Sequence, residues 1–148
     1  MKTWAWQRKP YEARVLLVPL GATGARTVEQ FGADGLDGVA VLDPARADQR
    51  VEAVRDADMV VLVIGDLADV DADVPGVMGS IVREQGKVLA ALVIDADGNW
   101  NTPRGRRAAL EVREAADMVV VSRDLDLASA FVDVLRGGDR EQTRTGVA

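Results

Sequence analysis

The sequence predicts an α/β protein, a doubly wound three-layer sandwich around a five-stranded parallel sheet. Short runs of Val, Leu and Ile alternate with segments of helical character, which gives five successive strand–helix units. These apolar runs lack polar alternation, which is typical of strands covered on both faces. Since parallel strands are joined by right-handed crossovers, we expect the strand order 2-1-3-4-5.

Local signals mark the start of the fourth helix and the end of the fifth. Thr102 is expected to cap the helix that begins at Pro103, because its hydroxyl can accept a backbone N–H and proline has none to lose. Gly137 and Gly138 are expected to end the last helix. The predicted strands span residues 15–20, 39–42, 59–64, 88–94 and 118–121, and the helices that follow them span 26–33, 45–56, 75–85, 103–116 and 125–136.

The predicted organisation is one domain with two short extensions. Residues 1–12 form an amino-terminal arm, residues 13–138 the domain, and residues 139–148 a polar tail. We expect the arm to pack onto the domain or onto a partner through Trp4, Trp6 and Tyr11. The sequence contains no apolar run long enough to span a membrane and no apolar core of a signal peptide, so we expect a cytoplasmic protein without a membrane role.

Composition excludes several classes of function. The chain has no Cys and no His, which removes thiolate nucleophiles, disulfides and imidazole bases. Its formal net charge of −6 disfavours nucleic acid as a partner, because phosphate contacts need a basic surface. Acidic clusters occur at residues 66–73 and 95–99, and neither has the spacing of a complete calcium loop. We therefore predict no metal site.

A glycine-containing turn, "GATG", follows the first predicted strand, where α/β proteins bind phosphate groups. A dinucleotide fingerprint would place a third glycine at Thr27 and an acidic residue after the second strand, where Asp43 lies. In this interpretation the ligand is NAD(P), with Asp43 on the ribose and Arg26 and Arg46 near a 2′-phosphate. The candidate ligand-binding residues are Gly21, Ala22, Thr23, Gly24, Arg26 and Asp43.

The succession of segments resembles the amino-terminal, nucleotide-binding half of the FtsZ/tubulin family. "RDADMVVLVIG" is similar to the strand that enters the family's glycine-rich signature loop, and "VPGVMGSIVREQGKVLAALVI" is similar to the helix and strand that leave it. "GRRAALEVREAADMVVVSRDLDL" and "AFVDVLRGG" resemble the stretch up to the start of its long central helix. The resemblance covers most of residues 14–138 and implies a guanine-nucleotide site at the first loop.

The nucleotide loops depart from that family. Arg26 takes the place of the asparagine that contacts the nucleotide, and the counterpart of the phosphate-binding signature loop, residues 65–76, is rich in aspartate. Two unit charges about 4 Å apart near a protein surface repel by roughly 4 kcal/mol, so this loop opposes phosphate unless a divalent cation such as Mg²⁺ bridges the charges. Its acidic residues are Asp66, Asp69, Asp71 and Asp73.

The end of the sequence also differs from the family. The resemblance places the base-stacking aromatic at Ala128 and a further base contact at Val132. We expect no counterpart of the second domain, which in that family supplies the catalytic acid to the neighbouring subunit's nucleotide. The predicted function is a non-catalytic, pseudo-GTPase-like module that binds a protein partner, either a full-length family member or a second copy of itself. Cofactor binding is not expected, and the alternatives are GTP or GDP with Mg²⁺ and NAD(P).

Overall fold

The computed structural model describes residues 13–94 and 99–137, and these form the predicted α/β sandwich. Five parallel strands make one sheet in the order β2-β1-β3-β4-β5, so the predicted fold class and strand order are confirmed. The predicted arm and tail, and the "DADGN" stretch apart from the backbone at Asn99, lie outside the described residues. The strands are β1 (Val15–Leu20), β2 (Val39–Val41), β3 (Met59–Ile64), β4 (Val88–Val93) and β5 (Met118–Val121), and the helices are α1 (Gly21–Ala33), α2 (Arg50–Asp56), α3 (Asp73–Glu84), α4 (Pro103–Ala115) and α5 (Leu125–Arg136).

The continuous apolar strands are explained by burial on both sides of the sheet. In β1, Leu16 and Val18 face the layer of α2, α3 and α4, while Val15 and Leu17 face the layer of α1 and α5. The central strands β1 and β3 pair over their full length, from Val15 opposite Met59 to Leu20 opposite Ile64. Since neither face meets water, every position along these strands favours an apolar side chain.

Two aspartates join the amino ends of neighbouring strands. The Asp58 carboxylate accepts the backbone N–H of Arg14 at 2.7 Å, and the Asp58 N–H donates back to the Arg14 carbonyl at 2.8 Å. Asp117 and Leu89 repeat this arrangement between β5 and β4, at 2.9 and 2.8 Å. Each aspartate therefore joins the amino ends of two neighbouring strands by satisfying a backbone N–H of the adjacent strand.

Helix ends agree with the predicted signals in part. Thr102 Oγ1 accepts the Gly105 N–H at 2.9 Å and caps α4, and Gly137 adopts φ +82° beyond the end of α5, as predicted. Three helix starts differ from the prediction: α1 begins five residues earlier, α3 begins at Asp73, and α2 begins at Arg50 after a short 3₁₀ turn. Among the described residues, no helix is long and apolar enough to cross a membrane.

Candidate functional site

A cavity of about 540 Å³ opens at the carboxyl ends of β1 and β2, the edge of a parallel sheet where ligands usually bind. Its walls come from the start of α1, the segment after β2, the loop after β3 and the start of α3. Most of the lining is apolar, and four ionisable side chains are part of it. The lining residues are Pro19, Leu20, Gly21, Ala22, Ala25, Val41, Asp43, Pro44, Ala45, Arg50, Asp69, Asp71 and Val74.

The glycine turn after β1 is the first turn of α1. The predicted loop over residues 21–25 is therefore wrong, and the helix begins at Gly21, whose φ of +76° lies in the left-handed region. The preceding residue, Leu20, has no side chain that can cap a helix and makes no capping hydrogen bond. The backbone N–H groups of this first turn have no acceptor within the helix, so they need a partner from elsewhere in the chain.

Asp69 supplies that partner from the loop after β3. One oxygen of its carboxylate, Oδ2, accepts the Thr23 N–H at 3.0 Å and the Thr23 hydroxyl at 2.8 Å. A helix amino terminus attracts negative charge, and Asp69 places a full carboxylate there. The other oxygen, Oδ1, is buried without a hydrogen-bond partner in the part of the chain that the structure describes. The amino end of α1 is therefore capped by an anion of the protein itself.

Glycine is required at three positions because a backbone or carboxylate atom of another segment lies too close to leave room for a Cβ. A Cβ on Gly21 would lie 1.9 Å from Asp69 Oδ1, and one on Gly24 would lie 2.5 Å from the Val63 carbonyl oxygen. A Cβ on Gly65, at the end of β3, would lie 2.9 Å from the backbone of Thr23. These glycines let α1 and the loop after β3 pack together, so their presence is explained without a ligand.

Two other acidic residues of the loop, Asp66 and Asp71, have local structural partners. Asp66 accepts the Ala68 N–H at 2.8 Å and starts the 3₁₀ turn Leu67–Asp69, and Asp71 accepts the Asp73 N–H at 3.2 Å at the start of α3. Within the described residues, no group of three or more acidic side chains is arranged to hold a metal ion. A second cleft of about 400 Å³ brings Asp71 and Asp73 together with Arg104 and Arg107 of α4, so both signs of charge line it.

The structure brings together only part of the predicted site. Gly21, Ala22 and Asp43 line the cavity, and Asp43 Oδ1 accepts the Ala45 N–H at 3.0 Å. Thr23 binds Asp69, and Gly24 is buried against β3.

The two arginines proposed for a 2′-phosphate, Arg26 and Arg46, are exposed and lie outside the cavity lining. Sequence reasoning missed Arg50, which does line the cavity and whose guanidinium Nε donates to the Pro44 carbonyl at 2.9 Å. No sequence signal distinguished it, because the predicted second helix, residues 45–56, places Arg50 in its interior.

The positions aligned with base contacts in the FtsZ/tubulin family lie in the core. Ala128 and Val132 of α5 are 1% and 0% exposed and pack against the sheet with Val61 and Leu92. Side chains in this position support α5 and cannot reach a ligand at the carboxyl edge of the sheet.

Comparisons with known proteins describe the fold. No protein-family model and no curated protein matches this chain. A putative pilus assembly-related protein from Burkholderia pseudomallei is similar in structure, with a TM-score of 0.50, 13% identity and coverage of 88% of this chain and 96% of that chain. The CMP N-glycosidase of Clostridium botulinum has a TM-score of 0.47 at 12% identity, covering 81% of this chain and 99% of that one. At such identities the likeness concerns the α/β architecture alone.

Proposed function

We propose that this chain is a non-catalytic, FtsZ/tubulin-like module that has kept a nucleotide-binding architecture and acts by binding a protein partner. The observation that carries the proposal is the contact between Asp69 and Thr23 at the amino end of α1. In nucleotide-binding α/β proteins this helix end receives phosphate. Here a carboxylate of the same chain supplies the negative charge.

The repulsion between the carboxylates of this loop and a phosphate is large enough to decide whether a nucleotide binds. A phosphate bound at the start of α1 would approach the Asp69 carboxylate and would also face Asp71, which lines the same cavity. One pair of like charges about 4 Å apart costs roughly 4 kcal/mol at an effective dielectric near 20. That cost corresponds to an affinity about a thousandfold weaker. A loss of affinity of this size would abolish binding at an ordinary nucleotide site.

The open edge of β5 is the surface that we assign to the protein partner. Among the described strands β5 pairs only with β4, and its four residues, Met118 to Val121, are all apolar and none is buried. An edge strand of this kind pairs readily with a strand of another chain. The partner is either a second copy of this chain or a full-length family member that presents a matching edge.

Sedimentation of the full chain, alone and mixed with a full-length FtsZ-family protein, tests this assignment. We expect association in at least one of the two samples, and we expect Val121→Lys to abolish it because a charged edge resists strand pairing. Val88→Lys is the matched control, since Val88 is similarly exposed but begins the interior strand β4. Monomers in both samples, or equal effects of the two variants, would overturn the assignment of β5.

A second candidate function is binding of NAD(P) or another nucleotide in the cavity of about 540 Å³. One observation favours it: Asp43 lines the same cavity as Gly21 and Ala22, as the ribose contact of a dinucleotide site would. Thermal unfolding with NAD, NADP and ATP tests this function. A rise in melting temperature that Asp43→Ala abolishes would support it, while unchanged melting with all three ligands would exclude it.

A further inference from the structure

Helix α5 carries a second apolar face in addition to the one that it buries. Ala128 and Val132 pack against the sheet, whereas Leu127, Ala130 and Val134 are exposed, with Leu127 and Val134 64% and 69% accessible. The exposed three follow a spacing of three and four residues and thus lie in one stripe along the helix. We call Leu127, Ala130 and Val134 the α5 stripe. A helix that is apolar on two faces normally has a covering partner on each.

The amino-terminal segment enters the domain beside this helix. The backbone N–H of Ala13, the first described residue, donates to the carbonyl oxygen of Arg136 at the carboxyl end of α5, at 3.0 Å. The chain that precedes Ala13 is therefore tethered at the carboxyl end of α5, two residues beyond Val134 in sequence. A helix of 12 residues is about 18 Å long. Twelve residues of chain reach up to about 40 Å, so the segment is long enough to cover the whole stripe.

The composition of that segment complements the α5 stripe. Trp4, Trp6 and Tyr11 provide large apolar surfaces, and tryptophan and tyrosine are enriched at interfaces. The segment contains Lys2, Arg8 and Lys9 but only one acid, Glu12. On α5, exposed Asp126 lies next to Leu127, and Asp133, which pairs with Arg136, lies next to Val134. Asp126 therefore offers the basic segment an opposite charge beside the stripe, whereas Arg136 offsets the charge of Asp133.

We propose that the α5 stripe is the docking surface for residues 1–12 of the same chain, with Trp4 and Trp6 as its apolar anchors. This contact involves neither the amino end of α1 nor the edge of β5. If the contact is shown to be absent, the proposed function is therefore unaffected. It makes the amino-terminal segment part of the domain and gives α5 the covering layer that the described residues do not supply.

Disulfide trapping in the full chain tests the contact cleanly because the protein has no cysteine of its own. The test variant combines Ala5→Cys, between the two tryptophans, with Ala130→Cys in the middle of the α5 stripe. The control combines Ala5→Cys with Ser80→Cys, which is exposed on α3 in the opposite helix layer. We expect the intramolecular disulfide to form about tenfold faster in the test variant, because docking raises the local concentration of one thiol near the other.

Two outcomes of the trapping experiment would overturn the proposal. Equal rates in the two variants would mean that the segment has no preferred surface. Disulfide-linked dimers in place of an intramolecular bond would mean that a second copy occupies the α5 stripe.

Tryptophan fluorescence gives a second readout that leaves residues 1–12 unchanged. Leu127→Asp should expose Trp4 and Trp6, so the emission maximum should move to longer wavelength and acrylamide quenching should increase. Leu110→Asp is the matched control, because Leu110 is a comparably exposed leucine, 56% accessible, on α4. The proposal is wrong if both variants leave emission and quenching as in the unmodified protein, or if both change them equally.

Discussion

Replacing Asp69 by alanine tests the role of this carboxylate as the cap of α1. The substitution removes two hydrogen bonds to Thr23, at 3.0 and 2.8 Å, and the negative charge at the helix amino end. Bonds to a charged acceptor contribute roughly 1.5 to 3 kcal/mol each, but burial of the unpaired Oδ1 offsets part of this. We expect Asp69→Ala to lower the free energy of unfolding by about 2 kcal/mol, within the range measured for helix caps. For a domain of this length the melting temperature should fall by roughly 4 to 8 °C.

The control for this prediction is Asp71→Ala in the same loop. Asp71 is exposed and, among the described residues, accepts the Asp73 N–H at 3.2 Å, so its loss should change stability by no more than about 0.5 kcal/mol. Urea unfolding followed by circular dichroism measures both variants. In phosphate buffer, Asp69→Ala should regain part of its stability, because the vacated helix terminus can bind an inorganic anion. Equal, small effects of the two substitutions would refute the capping role of Asp69.

Further substitutions test the glycine contact, the two aspartates that join neighbouring strands and the cap of α4, and unfolding measurements check each one. Gly21→Ala should cost about 3 kcal/mol or more because of the left-handed φ and the collision with the neighbouring carboxylate, whereas Gly32→Ala, with open space around it, should be neutral or stabilising by about 0.5 to 1 kcal/mol. Asp117→Ala should cost about 1 to 2 kcal/mol and Asp58→Ala less, since water can replace the more exposed carboxylate; equal costs would contradict this. Thr102→Ala should cost about 1 kcal/mol, and a variant as stable as the unmodified protein would contradict the capping bond.

The sheet could be predicted from the sequence because its signal is local. Each strand is a run of apolar residues long enough to be recognised, and the bounds of β1, β3 and β5 agree with the prediction. The handedness of the crossovers then restricts the strand order, and 2-1-3-4-5 is one of the common orders of doubly wound sheets. The caps at Thr102 and Gly137 were also predictable, because the capping residue and the helix that it caps are adjacent in sequence.

The start of α1 and the role of Asp69 could not be predicted in the same way. Gly21 and Gly24 are typical of a turn, and no residue next to them signals a helix cap. The cap comes from Asp69, 46 residues beyond Thr23 along the chain, and the pairing of β1 with β3 brings the two together. The acidic loop was recognised as unfavourable for phosphate, but its sequence does not indicate which carboxylate lies at the helix end.

The most direct test of the central claim, that the anion position at α1 is filled by the protein's own carboxylate, is thermal unfolding with millimolar GTP or GDP, with and without Mg²⁺. A ligand at 100 times its dissociation constant stabilises the folded state by about 2.7 kcal/mol. In a domain of this size that raises the melting temperature by roughly 5 to 10 °C. The account predicts no change with either nucleotide under either condition. A rise of several degrees would contradict it, and a rise that depends on Mg²⁺ would mean that the acidic loop and a cation together form a nucleotide site.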